Sequence, residues 1–387
     1  MTNNKDKKVL NVPNLRFPEF TDEWGSITIK EACSEFQSGK NIKAEMITGQ
    51  GLYPVYGGNG LRGFTESYNH DGDYILIGRQ GALCGNIRKV TGKTYVTEHA
   101  IAVCASKENE TTFLQYLFQK MKLGQYSDQS AQPGLAVNKL LRLNINVPSK
   151  IEQAKIAKIL SLIDERIITQ NKIIEKYESL IQAICETLIE SEQHKVELSF
   201  NDFGKPYSGL SGKSAEDFGN GWPYITYMNV YQNQIIDITD VGLVKINETE
   251  QQSVVRYGDI LFTLSSETPD EVGMGAVYLG DAYPLYLNSF CFGVHITDGS
   301  KIFPPFLAYY ISTKSFRKAV FPLAQGSTRF NLQKNDFMKK IFHFPTVKKQ
   351  SEIYSVLKAY SDKLSVEKNI VNLLCEQKSY LLRQLFI

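Results

Sequence analysis

Lysines and arginines cluster at matching places in the two halves of this chain. Ammonium and guanidinium groups pair with phosphate oxygens, so the recurrence predicts a phosphate-binding surface in each half. The simpler alternative is a charged face that is only solvated. Between positions 314 and 340, Asp336 stands against Lys314, Arg317, Lys318, Arg329, Lys334, Lys339 and Lys340. The matching stretch of the first half sets Asp128 against Lys120, Lys122, Lys139 and Arg142.

Motifs for catalysis are lacking in the sequence. The Phe-Pro-Pro-Phe at 303–306 comes closest to the motif that orients the target amine in a DNA methyltransferase, but Phe303 cannot accept the hydrogen bond required. Gly-Lys-Thr at 92–94 and Gly-Lys-Ser at 212–214 lack the glycine five positions earlier that a phosphate-binding loop needs. No nuclease-like carboxylate pattern follows Asp270, and no nucleophile elbow is present. We therefore expect a chain that is not itself an enzyme and binds no metal.

Composition is that of a folded protein with more than one domain. The chain has 387 residues, a net charge of +2 and 42% apolar residues, with no stretch of eighteen consecutive apolar residues. The N-terminus lacks an apolar signal core, which predicts a cytoplasmic location. Reduced, partly buried thiols fit that compartment better than disulfides or metal ligands. The six cysteines are Cys33, Cys84, Cys104, Cys185, Cys291 and Cys375.

An internal duplication divides the chain. The segment from Pro148 returns from Pro345, Phe-Leu-Gln-Tyr at 113–116 returns as Phe-Leu-Ala-Tyr at 306–309, and Ala-Gln at 131–132 returns at 324–325. Gly-Asp before an apolar run occurs at 72–73 and again at 258–259. Two similar surfaces in one chain suit a target that is itself bipartite or nearly symmetric.

Each copy has a globular part and a terminal helix. Short apolar runs bounded by Gly, Asn, Asp and Pro predict strands at 74–77, 101–103, 259–262 and 291–294. One amphipathic helix per copy is predicted, at 112–121 and at 305–320. The fold class is therefore α+β. We place the globular parts at 1–147 and 195–344 and the helical segments at 148–194 and 345–387.

The helical segments carry heptad spacing. Five repeats in both copies favour a coiled-coil seam over an ordinary amphipathic helix that covers a core. At about 1.5 Å per residue, roughly 40 residues make a rod of about 60 Å, long enough to hold two domains apart. The first seam comprises Ile156, Leu160, Ile163, Ile167, Gln170, Ile174, Tyr177, Ile181, Ile184 and Leu188. The second comprises Ile353, Leu357, Tyr360, Leu364, Glu367, Val371, Leu374, Lys378, Leu381 and Leu385.

Four segments resemble a known family. They are Pro-Asn-Leu-Arg-Phe-Pro-Glu-Phe at 13–20 followed by Trp24, Tyr-Pro-Val-Tyr-Gly-Gly-Asn-Gly at 53–60, Leu-Ile-Asp at 162–164, and Leu-Leu-Arg-Gln-Leu-Phe at 381–386. Together with the doubled plan they look like the specificity subunit of a type I restriction-modification system. The resemblance implies two target-recognition domains, each followed by a long helix, with the two helices forming an antiparallel coiled coil.

The resemblance also implies function and partners. Such a subunit reads double-stranded DNA, one half of a bipartite target per domain, while its helices set the gap and dock two methyltransferase subunits. Restriction subunits are added to these, and S-adenosylmethionine, ATP and Mg are expected in the partners, none in this chain. Two departures stand out. Lys378 replaces the apolar residue that Ile181 provides in the first seam, and loop 326–330 is longer than 133–136. The two domains should therefore read different sequences.

Within that interpretation, polar side chains in Gly-rich loops beside strands are candidates for reading bases, and basic ones for holding phosphates. For any single candidate, a plain loop role is the alternative. In the first domain the candidates are Gln37, Ser38, Lys40, Tyr56, Asn59, Arg79, Gln80 and Asn86. In the second they are Ser211, Lys213, Tyr227, Asn229, Ser265, Ser266, Ser327, Thr328 and Arg329, with Lys334, Lys339 and Lys340 as phosphate contacts.

Two other classes of function stay open at this point. A bivalent protein-binding adaptor built on a coiled-coil rod predicts indifference to DNA and no steep salt dependence. A self-contained enzyme with an unrecognised site predicts methylation or cleavage by the purified chain without partners.

Overall fold

The computed structural model describes residues 11–127 and 134–387. The chain forms two compact units. Unit 1 comprises Met1–Asn171 and Asn369–Ile387, and unit 2 comprises Lys172–Lys368. Each of the two long helices therefore contributes one part to each unit.

Unit 1 contains a four-stranded antiparallel sheet, a three-stranded sheet with one parallel pair, and a two-stranded ribbon. In order across each sheet these are β2-β8-β5-β6, β4-β3-β7 and β1-β9. The strands are β1 (Gly25–Thr28), β2 (Cys33–Ser38), β3 (Tyr53–Gly57), β4 (Gly60–Thr65), β5 (Asp73–Gly78), β6 (Ile87–Thr91), β7 (Tyr95–Val96), β8 (Ala100–Ala105) and β9 (Asn144–Val147). The helices are α1 (Ile29–Ala32), α2 (Thr111–Met121), α3 (Val137–Leu140) and the first part of α4 (Lys150–Glu190).

Both faces of the four-stranded sheet in unit 1 are covered, which explains the unbroken apolar run of β5. Ile75 and Ile77 pack with Phe113 of α2 on one face, whereas Leu76 packs with Val96 on the other. A strand buried on both faces has no reason to alternate apolar and polar residues. The predicted strands at 74–77 and 101–103 and the helix at 112–121 are confirmed as β5, β8 and α2.

Unit 2 repeats this plan and adds a small fourth sheet. The sheets are β11-β18-β14-β16, β13-β12-β17, β10-β21 and the added β15-β20-β19. The strands are β10 (Lys195–Leu198), β11 (Gly204–Ser208), β12 (Phe218–Ile225), β13 (Val241–Val244), β14 (Ile260–Thr263), β15 (Ser265–Ser266), β16 (Gly275–Val277), β17 (Tyr286–Leu287), β18 (Cys291–Ile296), β19 (Ala324–Gln325), β20 (Phe330–Leu332) and β21 (Phe342–Pro345). The helices are the rest of α4, then α5 (Tyr227–Gln232), α6 (Pro304–Tyr310), α7 (Lys314–Val320), α8 (Lys334–Lys339) and the first part of α9 (Val347–Gln384), whose remainder belongs to unit 1.

The duplication inferred from the sequence is confirmed by this topology. β2-β8-β5-β6 corresponds to β11-β18-β14-β16, and the parallel β3–β7 pair corresponds to β12–β17. The predicted strands at 259–262 and 291–294 are β14 and β18. The repeated Ala-Gln at 131–132 lies outside the described residues.

The single helix predicted at 305–320 is wrong, because the structure has two. The Thr313 hydroxyl accepts a hydrogen bond from Phe316 N at 3.3 Å and donates one to Tyr310 O at 2.7 Å. A threonine that caps a new helix start competes with continuation of the helix before it. The sequence pattern did not distinguish the break between α6 and α7 from a continuous helix.

The same buried glutamine fixes the start of each long helix. In unit 1, Gln153 Oε1 accepts a hydrogen bond from Glu110 N at 2.9 Å, and its Nε2 donates to Pro148 O at 3.0 Å. In unit 2, Gln350 makes the equivalent bonds to Phe303 N at 2.7 Å and Pro345 O at 2.8 Å. Each long helix is thereby joined to the helix that flanks its sheet.

The helix segments within each unit run antiparallel, as the resemblance implied. In unit 1, Asp164 of α4 pairs with Lys378 of α9 at 2.6 Å, and in unit 2, Glu178 pairs with Lys368 at 2.7 Å. The irregular Lys378 also lies over the Tyr116 ring at 5.3 Å. None of the predicted seam residues is exposed. Those that are buried are Ile156, Leu160, Ile163, Ile181, Ile353, Leu357, Glu367, Leu374 and Leu385.

Two of the segments that carry the family resemblance meet in unit 1. Leu15 N donates to Gln384 O at 2.9 Å, and Phe386 stacks on Phe113 with centroids 5.2 Å apart. Arg16 forms a two-pronged ion pair with the buried Glu152, at 2.8 and 2.7 Å. The segment at 13–20 therefore holds both the end of α9 and the start of α4.

Candidate nucleic-acid interface

An open cleft in unit 1 lies where the ends of β3, β5 and β7 meet the start of β8. Arg79 N, after β5, donates to His99 O at 2.9 Å, and Thr97 N donates to Tyr56 O at 2.9 Å. Leu135 N donates to Arg79 O at 2.9 Å and brings in the segment before α3. We call this cleft 1. It is lined by Gly57, Gly58, Asn59, Leu61, Arg62, Gln80 and His99.

Gly58 makes this junction possible. A Cβ at Gly58 would stand 2.6 Å from His99 O, so only glycine allows the two segments to approach this closely. In the cleft, His99 Nδ1 donates to Gln80 Oε1 at 3.0 Å, while Asn59 and Arg62 are exposed. Arginine suits guanine, and asparagine or glutamine suits adenine, because their groups match two-point patterns on the base edges.

Unit 2 has a cleft in the same structural position. Leu264 N donates to Phe290 O at 2.9 Å, Asn288 N to Ile225 O at 3.0 Å, and Leu332 N to Leu264 O at 2.8 Å. These are the counterparts of the three main-chain bonds around cleft 1. We call this cleft 2, with a volume of about 290 Å³. It is lined by Tyr227, Met228, Tyr231, Ser265, Ser266, Glu267, Glu271, Phe290 and Arg329.

The side chains of cleft 2 differ from those of cleft 1. The Tyr227 hydroxyl donates to Ser265 O at 2.7 Å, and its ring stacks with Tyr231 at 6.0 Å between centroids. Partial burial raises the pKa of Tyr227, so its hydroxyl stays protonated at neutral pH. The Ser266 hydroxyl donates to Glu271 Oε2 at 3.0 Å. The cleft thus offers aromatic faces, hydroxyls, two carboxylates and a guanidinium.

The structure brings six sequence candidates together in these clefts. Asn59 and Gln80 line cleft 1, and Tyr227, Ser265, Ser266 and Arg329 line cleft 2. The remaining candidates of unit 1 lie outside the lining. Tyr56 and Arg79 frame cleft 1 through their backbone, Asn86 is exposed in the following loop, and Gln37, Ser38 and Lys40 lie at the end of β2.

Three candidates of unit 2 make contacts within the fold. Asn229 is fully buried, with its Nδ2 donating to Asp237 O at 2.7 Å and Asp240 O at 2.5 Å. Lys213 has a buried side chain that pairs with Glu250, and Ser211 N donates to Gln252 Oε1 at 3.1 Å. In this conformation Asn229 and Lys213 present no polar group to a base or phosphate. Their role as DNA contacts stays a prediction.

The basic cluster of unit 2 divides into two groups. Lys339 and Lys340 are exposed at the end of α8, while Lys334 Nζ donates to Ser208 Oγ at 3.3 Å. Ser327, Thr328 and Arg329 are exposed on the β19–β20 hairpin. Arg317, by contrast, is half-buried and donates to three backbone carbonyls, those of Asp270, Val272 and Gly273. It supports a loop and offers nothing to a phosphate.

Comparison with known proteins agrees with this architecture. The family model for the type I restriction modification DNA specificity domain matches residues 21–179 and 208–375, once per copy. The chain belongs to this family. Recognition of a DNA target is the role of the family, whose specificity subunits are non-catalytic.

One curated relative in this family is the type I restriction enzyme EcoprrI specificity subunit of Escherichia coli. It is 42% identical over 154 residues, which is 39% of this chain and 38% of that relative. The match therefore spans well under half of the relative's length.

Two solved structures share the fold at low identity. The type I restriction-modification system S subunit from M. genitalium has a TM-score of 0.61 at 18% identity, over 97% of this chain and 99% of that one. A chain from work on complex assembly and conformational transition of the type I R-M system has a TM-score of 0.55 at 14% identity, over 93% and 96%.

Sequence reasoning missed several residues of clefts 1 and 2, among them Arg62, His99, Met228, Tyr231, Glu271 and Phe290. One signal could have revealed a pair of them. His99 and Phe290 each come just before the corresponding strands β8 and β18. Aligning the two copies on those strands would have placed both at the cleft.

In the described residues, the cysteines and other possible ligands form neither a reactive-thiol site nor a metal site. Burial raises the pKa of Cys33, Cys185 and Cys291 to about 12, which leaves these thiols protonated and unreactive. Among residues 11–127 and 134–387, no group of His, Cys, Asp and Glu side chains could hold a metal ion. No described helix is long and apolar enough to cross a membrane.

Proposed function

We propose that this chain reads a bipartite DNA target, with cleft 1 contacting one half-site and cleft 2 the other. One observation carries the proposal: both copies build the same cleft from the same three main-chain hydrogen bonds, yet line it with different side chains. A main-chain frame that both copies share, lined by different polar side chains, is what the reading of two different base sequences requires.

Phosphate contacts would supply most of the affinity. Lys339 and Lys340 are exposed on unit 2 beside α8, whose first residue follows β20 of the cleft 2 hairpin. Basic groups beside a reading cleft fix the position of the duplex and carry no sequence information. The expected binding is therefore steeply dependent on salt.

Methylation and restriction would belong to partner subunits in the cytoplasm. We propose that two methyltransferase subunits join this chain, one for each copy, and that restriction subunits add to them. S-adenosylmethionine, ATP and Mg would be held by those partners. The motivation is the duplicated plan together with two features of the sequence: Phe303 stands where a methyltransferase motif needs a hydrogen-bonding residue before Pro-Pro-Phe, and a phosphate-binding loop is lacking.

Selection of DNA from a random library tests the division between the clefts. The complex of this chain with its methyltransferase subunits should select two short conserved elements separated by a fixed gap. Substituting Asn59, Arg62 and Gln80 by Ala should erase the preference in one element and leave the other. Loss of both preferences in a folded variant, or selection of one continuous element, would contradict the proposal.

The gap itself would be set by the long helices. Inserting one heptad at equivalent points of α4 and α9 keeps each seam in register and lengthens the helices by about 10 Å. That equals roughly three base pairs at about 3.4 Å each, and the selected gap should grow accordingly. Those base pairs also rotate one half-site by nearly a third of a turn, so weaker binding at every gap is expected if the DNA cannot absorb the twist. Full binding retained only at the original gap would refute this role.

A further inference from the structure

Cleft 2 contains two carboxylates in a place where phosphates should repel them, the exposed Glu267 and the half-buried Glu271. Glu271 lies in the cleft with Ser265, Ser266 and Arg329. Among the ion pairs of the described residues, none involves Glu271. A carboxylate that lines a DNA-facing cleft without an ion-pair partner is unfavourable for phosphate binding and favourable for a neutral hydrogen-bond donor.

A neighbouring hydroxyl group orients the Glu271 carboxylate. The Ser266 hydroxyl donates to Glu271 Oε2 at 3.0 Å, and the hydroxyls of Tyr231, Ser266 and Thr268 lower the pKa of Glu271, so it is ionised and accepts only. An ionised carboxylate has about four acceptor positions, so the bond from Ser266 leaves others open. An open position fits an amino hydrogen.

The loop that carries Glu271 is clamped from behind. Arg317 of α7 donates to Asp270 O and Val272 O at 2.7 Å and to Gly273 O at 2.8 Å. The two residues next to Glu271 in sequence are thus fixed by one guanidinium. Side chains that discriminate between bases have to be pre-positioned in this way, because a mobile acceptor would bind several donors equally well.

We infer that Glu271 reads the 4-amino group of a cytosine in the half-site bound by cleft 2. In the major groove the cytosine amino group is the donor that acidic side chains accept from, whereas guanine and thymine present acceptors and adenine presents its amino group beside the acceptor N7, which disfavours a carboxylate. Cleft 1 has no carboxylate among its lining residues in the described chain, so the two half-sites should differ at this position. The inference rests on the proposed reading of DNA by cleft 2.

The decisive experiment compares Glu271→Gln with wild-type complex on DNA selected by the wild type. Glutamine both donates and accepts and pairs with adenine, so the preferred base at one position of that half-site should change from cytosine to adenine. Discrimination for cytosine should fall by roughly 10-fold or more, since one good base contact accounts for that factor. Glu248→Gln is the matched control, because Glu248 is exposed, carries the same charge and is outside the lining of cleft 2.

A base analogue separates base reading from a structural role. Replacing that cytosine by 2-pyrimidinone, which lacks the amino group, should weaken wild-type binding about as much as Glu271→Gln does. The two changes together should cost no more than either alone, because both delete the same contact. The same analogue at a cytosine of the other half-site is the control for weakened base pairing.

Each outcome is informative. Additive losses, or an unchanged preference in a folded Glu271→Gln complex that still selects two elements, would overturn the assignment of Glu271 while leaving the proposed function intact. Failure of the wild-type complex to select any element through cleft 2 would instead overturn the proposed function.

Discussion

Arg317 should stabilise unit 2 through the loop that it holds, although its charge suggests a phosphate contact. Its guanidinium donates to three backbone carbonyls within 2.8 Å. Replacing it with Met keeps most of the side-chain length and deletes all three bonds. A hydrogen bond to a charged group is worth about 1.5 to 3 kcal/mol, and one guanidinium serves all three at a single desolvation cost. We therefore expect Arg317→Met to lower the free energy of unfolding by about 2 to 4 kcal/mol.

Urea denaturation of the full chain measures this loss, and hydrogen exchange at Val272 and Gly273 locates it. Lys318→Met is the matched control: it lies next in the same helix, is exposed, and should cost less than about 0.5 kcal/mol. Binding should also lose selectivity at the cleft 2 half-site, because the loop carrying Glu271 becomes mobile. A difference below about 1 kcal/mol between the variants, with exchange unchanged, would show that the carbonyl bonds add little.

Three further predictions follow from single contacts. Lys340→Ala should weaken binding to all DNA and flatten the log-log salt slope by about one unit; a changed base preference at constant slope would assign it to base reading instead. Gln350→Leu should cost about 1 to 3 kcal/mol by urea denaturation, since it leaves a buried N–H without its acceptor, whereas the exposed Gln182→Leu should be nearly neutral. Iodoacetamide should label the exposed Cys375 in the native chain well before Cys185, because burial raises the pKa of Cys185 to about 12. Mass spectrometry measures the two labelling rates, and equal rates would contradict the burial of Cys185.

The parts of the fold that depend on side-chain periodicity could be predicted from the sequence. The heptad pattern located α4 and α9, and the repeated segment after Pro148 and Pro345 located their starts. The reason is that burial imposes the pattern locally. The polar outlier Lys378 is explained by its contacts with Asp164 and Tyr116. Both residues lie more than 200 positions away in the sequence, so periodicity could not reveal these contacts.

The composition of the clefts was harder to predict, because it depends on which loops meet. Asn229 and Arg317 have the residue types of DNA contacts, yet the structure uses both to satisfy backbone groups. Charge alone disfavours a carboxylate such as Glu271 as a DNA contact. Its role becomes visible only when Ser266 and Tyr231 are seen beside it. Sequence identified the segments that form the clefts and left the side chains within them undetermined.

The way the clefts are framed explains how one fold could serve different targets. Each frame consists of N–H and C=O groups, as in Arg79 N to His99 O and Leu264 N to Phe290 O. Such bonds form regardless of the side chain on either residue, apart from close approaches such as Gly58. A change from histidine to phenylalanine at that point therefore alters the surface of the cleft without breaking the frame. Substitutions inside the clefts should accordingly change base preference at little cost in stability, whereas substitutions of Gln153 or Gln350 should do the reverse.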